Sequence, residues 1–480
     1  MKTIKIPTEL QKMNNFFKNK GFEAFLVGGA VRDMIRGKEA SDWDIATNAS
    51  PKEVTSIFNK VIPTGIEHGT VTVIFMGHHI EVTTYRTETD YSDGRHPDKV
   101  TYAATIEKDL SRRDFTMNAL AANLDTGMIV DPFNGQKDIK KKIIRTVGNP
   151  LERFSEDGLR PIRAIRFASQ LGYAIEKNTL DAISQTIEIT KKISIERFRD
   201  EFLKIISSDN SLLGLQLLEQ TGELAFFIPE LTSCRNVVQA DNRGFHKFDV
   251  LDHLFYSCNG ARKNSIEPFI VPLAALFHDI GKPSVRKVET DGLGNTIYTF
   301  FNHEKASSKI ASQVFDRLKL PKATNKYVCH LIEQHMFHYE SNWTDAAIRR
   351  FLVRITPAPG LLPLEVENPL NQTLKDLFDL RIADVTGMTG MPSLLSKGPW
   401  SQNLLEFKDR IDTILAQENA LGLKNLDITG KDLIANGIPS GKAIGNILQE
   451  LLETVLEDPR TNKKEQLLQI ALHIWESKQF

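Results

Sequence analysis

The chain has 480 residues, a length that predicts three or four domains rather than one. Its 60 Lys and Arg residues balance 61 Asp and Glu residues, so bound nucleic acid would have to contact a local basic surface. Cys234, Cys258 and Cys329 show no paired or metal-type spacing, which argues against a disulfide scaffold and favours a reducing compartment. The first residues lack the apolar core of a signal peptide, and no segment reaches ~20 apolar residues, so we expect a soluble, cytoplasmic protein without membrane contact.

The first 149 residues have the pattern of an α/β domain. Alternating apolar segments predict strands at Phe22–Val27, Val71–Met76 and Ile80–Tyr85. The connection at residues 77–79 is short enough to make the last two strands a hairpin. Near Pro150 the pattern changes to almost continuous helical periodicity, which predicts the first domain boundary.

The remainder of the chain is predicted to be helical. Helical spacing over residues 150–232 indicates a neck, and residues 233–400 form a third region in which histidines cluster. A Pro- and Gly-containing stretch at residues 356–369 interrupts this region and predicts a loop. After about Ser401, two further helical segments are expected to close the chain as a tail over residues 401–480.

The most informative motif opens with FLVGGAVRDMIRG and continues with SDWDIAT. It predicts a strand, a glycine turn, a helix and a second strand. Gly28 and Gly29 lack side chains, so their backbone N–H groups could approach a triphosphate at the start of the helix. Arg32 lies one helical turn onward and could contact the same phosphates.

Asp42 and Asp44 are two residues apart on the second predicted strand, so both carboxylates should project from one face. Two convergent carboxylates suit a pair of Mg²⁺ ions that activate a 3′-hydroxyl and stabilise leaving pyrophosphate during in-line nucleotidyl transfer. A glycine pair alone is weak evidence, and a D-x-D alone is more often a solvated strand face. Their combination favours nucleotidyl transfer.

The segment GGAVRDMIRGKEASDWD resembles the first signature of the class II tRNA nucleotidyltransferase and bacterial poly(A) polymerase family, a branch of the DNA polymerase β superfamily. Three later segments continue the resemblance in order. Asp109–Ala121 resembles the ribose-recognition motif, Ser155–Ala168 the nucleobase-reading motif, and Glu196–Phe202 the motif that props the neck. The resemblance implies a polymerase-β-like α/β head followed by an all-α neck.

The ribose-recognition motif carries Arg113, Asp114 and Asn118, which provide a cation, an acceptor and an amide. Together they could distinguish ribose by its 2′-hydroxyl. The alternative for these residues is a salt bridge at a helix start.

The nucleobase-reading motif places the acceptor Asp157 and the donor Arg160 at i and i+3, which predicts one helical face. Such a pair could mimic a Watson–Crick edge for both CTP and ATP, a use that the resemblance implies. Arg163 and Arg166 continue at helical spacing and are expected to face the triphosphate, unless they form an exposed i,i+3 ladder. With Ser155 as the N-cap, the proline at 161 would lie just past the first turn, where it could kink the helix.

Glu81, in the predicted hairpin, is the candidate for a third carboxylate near the metals, because the superfamily usually supplies one from a neighbouring strand. The alternative is a polar residue at a sheet edge. Residues 86–105 are rich in charged and turn residues and resemble the family's mobile loop, which is implicated in the switch from C to A addition.

A second chemistry follows, because His and Asp residues suit divalent transition metals. Their order resembles an HD-type metal phosphohydrolase domain, and the resemblance implies a site for Ni, Mn or Co that cleaves phosphoesters at RNA ends, such as a 2′,3′-cyclic phosphate. Alternatively, the domain is a structural module. His246 and His338 are expected to lie outside the site. The predicted ligands are His253, His278, Asp279, His303, His335 and Asp384.

Residues 426–468 resemble the closing segment of HD-containing members of the family. The glycine-rich junction Gly437–Gly445 contains Lys442, which is either a phosphate contact or part of an ordinary helix-packing corner. The basic run Lys137–Arg145 could touch RNA, although a solvated face is the favoured interpretation.

Together these features predict template-independent addition of C, C and A to the 3′ end of tRNA from CTP and ATP, with Mg²⁺ at the head. Alternatives within the class are a poly(A) polymerase and an enzyme restricted to CC or A addition. An alternative from another class is an HD phosphohydrolase whose head only binds nucleotides, against which the intact D-x-D argues. The oligomeric state is left open.

Overall fold

The computed structural model describes residues 3–40, 42–66, 69–89, 99–239, 247–290, 292, 294–390, 399–417 and 422–478. The chain divides into two compact units. The first contains Met1–Arg235 with Arg317–Lys319, and the second contains Asn236–Asp316 with Leu320–Phe480. The predicted head and the predicted neck therefore lie within the first unit. The division of the chain into four domains stays a prediction.

A seven-stranded mixed sheet forms the centre of the head, in the order β3-β4-β5-β2-β1-β8-β9. Strands β2 and β5 are parallel, and the other neighbouring pairs are antiparallel. Two smaller pairs are β6 with β7 and β10 with β11. The strands of this unit are β1 Ala24–Val27, β2 Asp44–Thr47, β3 Val61–Gly65, β4 Thr70–Phe75, β5 His78–Thr84, β6 Arg86–Thr89, β7 Lys99–Tyr102, β8 Ala121–Asn123, β9 Ile129–Val130, β10 Ile143–Ile144 and β11 Ala174–Ile175.

The three predicted strands are present with slightly different bounds, as β1, β4 and β5, and the predicted hairpin is confirmed. Its turn lies one residue earlier than expected. Met76 and Gly77 adopt positive φ values of 50° and 86°, and His78 already pairs with Phe75. All four residues of β1 are buried, which places this strand in the core of the head.

The helices of the first unit surround this sheet and continue into the neck. Helix α7 packs against α10 and α11. A Cβ on Gly214 of α11 would lie 2.5 Å from Ile205 of α10 and 2.9 Å from Ser169 of α7, so glycine permits this close approach. The helices are α1 Thr8–Lys18, α2 Gly29–Ile35, α3 Pro51–Ile57, α4 Ile106–Ser111, α5 Gly135–Lys141, α6 Pro150–Glu156, α7 Leu159–Leu171, α8 Lys177–Gln185, α9 Ile187–Thr190, α10 Ile195–Ile206, α11 Ser211–Thr221, α12 Glu223–Phe227 and α13 Pro229–Thr232.

The nucleobase-reading segment is split between α6 and α7, which corrects the prediction that Ser155 caps one helix. Ser155 lies inside α6, where its Oγ donates to the Leu151 carbonyl at 2.8 Å, and Gly158 is the N-cap of α7. Pro161 is therefore the third residue of α7. In the first turn, the missing proline N–H removes no intrahelical hydrogen bond, so this helix has no proline kink.

The second unit is mainly helical, as predicted. Helix α14 packs against α15 and α20, and α15 packs against α18. One antiparallel hairpin, β12 with β13, was not predicted. The elements are α14 Val250–Gly260, α15 Ile270–Phe277, α16 Lys282–Val285, β12 Lys287–Thr290, β13 Thr296–Thr299, α17 His303–Arg317, α18 Lys322–Gln334, α19 Asp345–Ile355, α20 Pro369–Thr389, α21 Pro399–Ala416, α22 Gly430–Ala435, α23 Lys442–Glu457 and α24 Lys464–Lys478.

The closing region contains four described helices, α21 to α24, so the prediction of two helical segments is wrong. Glycines at 437 and 441 adopt positive φ values of 94° and 148° and separate α22 from α23. The predicted loop is confirmed, since residues 356–368 contain neither helix nor strand. Among the described helices, none is long and apolar enough to cross a membrane.

Candidate functional site

Three carboxylates of the head lie close together, around the start of β2 and the middle of the adjacent strand β5. Asp44 is the first residue of β2 and pairs in register with Glu81 on the parallel strand β5. Asp42 precedes the strand, which corrects the expectation that both aspartates lie within it. The alternation still holds, because Asp42 and Asp44 are exposed while Trp43 and Ile45 are buried.

The electrostatics of this cluster favour a cation. Partial desolvation and the negative charge of Glu81 raise the pKa of Asp44 to about 6, with a smaller contribution from Asp42, while Arg113 opposes the rise. Carboxylates held together in this way repel one another until a positive charge compensates them. Exposed oxygen donors of this kind fit Mg²⁺, which prefers oxygen ligands.

Gly28 allows a close approach at this site. Its N–H donates to the Leu120 carbonyl at 3.2 Å, and its predicted contact with a triphosphate stays a prediction. Gly28 has a φ of 71°, and a Cβ there would lie 2.9 Å from Arg113 Nη1. Glycine at this position therefore lets Arg113 approach Asp44. Gly29 begins α2, and a Cβ there would lie 3.5 Å from Arg32 Nη2.

Four of the predicted phosphate and ribose residues form one continuous hydrogen-bond network. Arg32 Nη1 donates to Asn118 Oδ1 at 2.9 Å, and Asn118 Nδ2 donates to Asp114 Oδ1 at 3.2 Å. Asp114 Oδ2 accepts from Arg163 Nε at 2.9 Å and from Arg163 Nη2 at 2.7 Å. Although burial opposes ionisation, the Arg163 guanidinium lowers the pKa of Asp114 to about 2. The network joins the glycine motif of the head to α7.

Asp157 and Arg160 do not lie on one helical face, which corrects the prediction. Asp157 stands at the break between α6 and α7, where its Oδ1 accepts from the Leu159 N–H at 3.0 Å. Arg160 lies in the first turn of α7 and donates to the Arg153 carbonyl at 2.9 Å and to the Glu156 carboxylate. Because of the break, the Asp157 side chain extends from the turn between the two helices, whereas the Arg160 side chain extends from α7.

Helix α10 supplies partners that the sequence did not assign. Arg197 Nη2 donates to Asp157 Oδ2 at 3.0 Å, and Glu201 forms an ion pair with Arg166 Nε at 2.5 Å. The Arg166 guanidinium lies 3.9 Å from the ring centre of Phe167. Arg166 therefore belongs to no exposed ladder. The signal for these partners was their presence in the ERFRDEF motif, whose charged residues alternate with core phenylalanines.

In the second unit, the structure brings all six predicted HD residues together. Asp279 is at their centre, because its Oδ1 lies 3.0 Å from His303 Nε2 and its Oδ2 lies 3.2 Å from His253 Nε2. The remaining contacts complete the cluster: His253 Nε2 to His278 Nε2 at 3.1 Å, His278 Nε2 to Asp279 Oδ2 at 3.3 Å, His253 Nε2 to Asp384 Oδ1 at 3.4 Å, His278 Nε2 to Asp384 Oδ1 at 3.5 Å, and His335 Nε2 to Asp279 Oδ1 at 3.9 Å.

Backbone carbonyls orient three of these imidazoles. Nδ1 of His278 donates to the Ala275 carbonyl at 2.8 Å, Nδ1 of His303 to the Phe300 carbonyl at 2.8 Å, and Nδ1 of His335 to the Ile332 carbonyl at 2.6 Å. Each bond directs Nε2 into the cluster, as in proteins whose histidines bind metals. The converging imidazole and carboxylate donors fit a transition metal.

The charges of the cluster are strongly coupled. Burial opposes the charged imidazole of His278, but Asp279 and Asp384 outweigh it and raise the pKa of His278 to about 10. Desolvation and the charge of His278 lower the pKa of His335 to about 3. Despite burial, neighbouring cationic groups hold the carboxyl pKa values of Asp279 and Asp384 well below their usual range.

Two further cations border the cluster and were not predicted. Lys282 Nζ lies 2.6 Å from Asp279 Oδ2 and donates to Gln239 Oε1 at 2.7 Å, and Arg381 Nη1 lies 2.7 Å from Asp384 Oδ2. The HDIGKP motif contained the lysine, which could have been assigned from its spacing. The cluster opens onto a cavity of about 820 Å³.

The remaining predicted features lie outside these clusters. His338 is exposed beside Glu340, and His246 lies outside the described residues. The ends of the predicted mobile loop form the β6–β7 pair, and residues 90–98 lie outside the described residues. Lys442 is exposed at the start of α23.

Models of known protein families match segments in both compact units. The models that match are the poly A polymerase head domain over residues 24–145, the "Probable RNA and SrmB-binding site of polymerase A" over residues 172–235, the HD domain over residues 249–387 and tRNA nucleotidyltransferase domain 2 over residues 399–471. The chain therefore joins a segment that matches a polymerase head domain, on which the carboxylate cluster lies, to a segment that matches an HD domain.

Curated relatives agree over part of the chain. The CCA-adding enzyme of Lactobacillus helveticus (strain DPC 4571) is 47% identical over 222 residues, which are 46% of this chain and 55% of that enzyme. The CCA-adding enzyme of Geobacillus sp. (strain WCH70) is 47% identical over 223 residues, again 46% of this chain and 55% of that enzyme. The chain thus spans about half the length of the curated relatives it matches.

Solved structures match over nearly the whole chain. The Bacillus stearothermophilus CCA-adding enzyme in complex with CTP is 26% identical, with a TM-score of 0.69 and 98% of both chains covered. The Thermotoga maritima CCA-adding enzyme complexed with tRNA_CCA shares the fold at 21% identity, with a TM-score of 0.56, and covers 98% of this chain and 99% of that chain. The matches to the poly A polymerase head domain and the HD domain, and the fold of these solved structures, agree with the resemblance to the class II tRNA nucleotidyltransferase and poly(A) polymerase family.

Proposed function

We propose that this chain adds C, C and A to the 3′ end of tRNA, using CTP and ATP and no nucleic-acid template. The observation that carries the proposal is the exposed carboxylate cluster of Asp42, Asp44 and Glu81, beside Arg113. Divalent ions, Mg²⁺ in this proposal, would activate the 3′-hydroxyl and stabilise leaving pyrophosphate when bound to Asp42 and Asp44. The names of the relatives, CCA-adding enzymes, support the same reaction.

The chain's own residues would bind and orient the nucleotide. Arg113, which glycine at position 28 allows to lie near Asp44 and which pairs with Asp109 at 3.4 Å, is positioned to compensate phosphate charge. Arg32 would contribute to the same positive surface from α2. Asp114 and Asn118 would bind the ribose hydroxyls. Because Arg163 keeps Asp114 ionised, this carboxylate is an acceptor at every pH near neutrality.

Base selection in this proposal rests on Asp157, which lies at the α6–α7 break, and on Arg160, which lies in the first turn of α7. Arg197 holds the Asp157 carboxylate, and Glu156 holds the Arg160 guanidinium. Arg163 and Arg166 are tied to Asp114 and Glu201 and would act by fixing α7 rather than as free phosphate ligands. This arrangement favours one rigid hydrogen-bonding edge that serves cytosine and adenine.

The test is an extension assay with purified full chain. Transcripts of tRNA ending before the first C, after one C and after two Cs are each incubated with one nucleoside triphosphate and Mg²⁺, and the products are sized. We expect C, C and then A, followed by arrest. Unlimited A addition would replace the proposal with a poly(A) polymerase, and addition of only CC or only A would restrict it accordingly.

The HD cluster supports a second candidate activity, hydrolysis of a phosphoester at an RNA end such as a 2′,3′-cyclic phosphate. All six predicted ligands lie within one cluster, which a scaffold would not require. A transition metal such as Ni, Mn or Co would, when bound, supply hydroxide near neutral pH. Addition of water across the P–O3′ bond leaves a 3′-hydroxyl and a 2′-phosphate, and a second hydrolysis releases phosphate. Lys282 and Arg381 border the position where phosphate charge would lie.

Adenosine 2′,3′-cyclic phosphate and tRNA with a cyclic-phosphate end test this activity in Mg²⁺, Mn²⁺, Ni²⁺ and Co²⁺. We expect release by the wild type and none by the His278→Ala/Asp279→Ala variant. Failure in all four metals, or equal activity in the double variant, would make the domain a scaffold. In that case the head could still be a transferase.

The proposal keeps the predicted division into a head at 1–149, a neck at 150–232, an HD domain at 233–400 and a tail at 401–480. The proposed substrates support a cytoplasmic location, and Cys234, Cys258 and Cys329 form no disulfide among the described residues.

A further inference from the structure

The cavity of about 820 Å³ beside the HD cluster has two chemically different parts. Its floor is polar and contains His278, Asp279 and Asp384, with the cations Lys282 and Arg381 beside them. The other lining residues come mainly from β13 and the chain that follows it, and they combine aromatic and sulfur-containing side chains (Tyr298, Phe300, Phe301, Met336 and Met388) with Thr296, Ile297, Thr299, Asn302 and Glu304. A ligand that fills the cavity therefore needs an anionic end and a flat or apolar end.

Phe301 belongs to this second part of the cavity, and no described ring or cation of the protein contacts it. It follows β13, lines the cavity and is 72% exposed. Two neighbouring rings each contact a cation. Arg286 lies 4.3 Å from the ring centre of Tyr298, and Lys282 lies 5.3 Å from the ring centre of Phe300. In the part of the chain that the structure describes, Phe301 has neither a ring partner nor a cation partner. Met336, 53% exposed, lines the same cavity.

A further polar atom beside Phe301 also lacks a partner. The Oγ1 of Thr299 is buried and, within the described ranges, makes no hydrogen bond. Buried hydroxyls are normally satisfied, so this atom is an unused hydrogen-bonding group in the segment that lines the cavity. Thr299 lies two residues from Phe301 and four residues from His303 along the chain.

We propose that Phe301 is a stacking platform for a nucleobase, so that the cavity binds the terminal nucleotide of an RNA with its phosphate at the His/Asp cluster. A nucleotide carries the anionic and the flat end together, whereas inorganic phosphate would leave Phe301 uncovered and a purely apolar ligand would make no polar contact with the His/Asp cluster, where Lys282 and Arg381 pair with Asp279 and Asp384. Aromatic side chains bind bases in single-stranded RNA by such stacking. The inference rests on the second candidate activity and assigns its substrate class.

The first experiment measures binding and needs no catalysis. The fluorescence of 2-aminopurine ribonucleoside 3′-monophosphate is titrated with the full chain, with and without Mn²⁺. Phe301→Ala should weaken quenching-detected binding by about 5- to 150-fold, the loss of one stacked base. Phe301→Tyr should restore it. Val288→Ala is the matched control, because Val288 is 64% exposed on the same hairpin and does not line the cavity.

The second experiment compares adenosine 2′,3′-cyclic phosphate with the base-free methyl riboside 2′,3′-cyclic phosphate. We expect a lower KM for the adenosine compound in the wild type and equal KM values in Phe301→Ala. Equal KM values in the wild type, or aminopurine binding that is unchanged in Phe301→Ala, would overturn the platform even if hydrolysis is present. Binding that depends on Phe301 without hydrolysis of either compound would uphold the platform and reject the hydrolytic activity.

Discussion

The two candidate sites hold their acidic groups in opposite electrostatic states. In the head, Asp42 and Asp44 are exposed, and desolvation with the charge of Glu81 raises the pKa of Asp44 to about 6. In the HD domain, Asp279 and Asp384 are buried among imidazoles and cations that hold their pKa values well below the usual range.

This difference teaches how each site is prepared for its ligands. The HD cluster is oriented before any ligand binds, because backbone carbonyls fix three imidazoles. The head leaves negative charge uncompensated beside Arg113, so metal ions and a triphosphate together would complete its charge balance. The chain thus contains one preoriented site, in the HD domain, and one exposed charged site, in the head. We expect a substitution at either site to remove the activity of that site alone.

Asp44→Ala should have the largest effect. Loss of a carboxylate that holds a catalytic cation removes several kcal/mol of transition-state stabilisation, so nucleotide addition should fall by at least about 10³-fold. Single-turnover extension of tRNA in Mg²⁺ measures it, with circular dichroism as the check on folding. The His278→Ala/Asp279→Ala variant is the matched control and should extend tRNA within about threefold of the wild type. Near-normal turnover by Asp44→Ala would relocate the active site.

The corresponding substitution at the HD cluster tests the second of the two sites. His278→Ala/Asp279→Ala should weaken Mn²⁺ binding at the HD cluster by at least about 10²-fold, because even supporting residues of a metal site contribute about 10- to 100-fold. Equilibrium dialysis with metal analysis measures it. His338→Ala is the control, since His338 is exposed and outside the cluster. Equal Mn²⁺ binding by the double variant and the wild type would contradict the metal assignment.

Asp157→Ala should reduce discrimination against UTP by about 10- to 100-fold, the effect of one charged hydrogen bond. The carbonyl at position 4 of uracil is repelled by a carboxylate, and the variant lacks this repulsion. Arg197→Met should give a smaller change in the same direction, because Arg197 only positions Asp157. The ratio of kcat/KM for CTP to that for UTP measures both.

Asp181→Ala is the control for this pair, since Asp181 belongs to an exposed ion pair with Lys177. Unchanged selectivity in an active Asp157→Ala enzyme would move base reading elsewhere.

Glu223→Gln should change stability without changing either site. Both carboxylate oxygens of Glu223 are buried and, among described residues, lack a hydrogen-bond partner, and desolvation raises its pKa from 4.5 to about 7. Because the folded state binds the proton more tightly, the stability associated with protonation is present below pH 4.5 and is lost as pH rises through 7.

The advantage of the glutamine variant should therefore grow by up to about 3 kcal/mol between pH 4.5 and pH 8. Urea unfolding across this range measures it, with Glu188→Gln, an exposed position, as the control. A pH-independent difference would show that Glu223 remains ionised in the folded protein.

The sequence by itself determined the residue types and their order along the chain. Alternation around Trp43 and Ile45 was enough to predict that Asp42 and Asp44 share a face, because side chains alternate in extended backbone. The six HD residues were likewise predictable, since a metal site needs a limited set of donors and the motif order resembles a known family. Whether these residues bind metal stays a prediction.

Only the tertiary structure decided where local periodicity ends and which charges meet. A Cβ on Gly158 would lie 2.6 Å from the Ile189 carbonyl, so packing from a distant helix accommodates the break that removes Asp157 from the face of α7. Arg197 and Glu201 reach Asp157 and Arg166 across about 40 and 35 residues of chain. Electrostatic energies depend on distance in space and on desolvation, neither of which sequence spacing contains, and therefore the opposite pKa shifts of Asp44 and Asp279 could be known only from the fold.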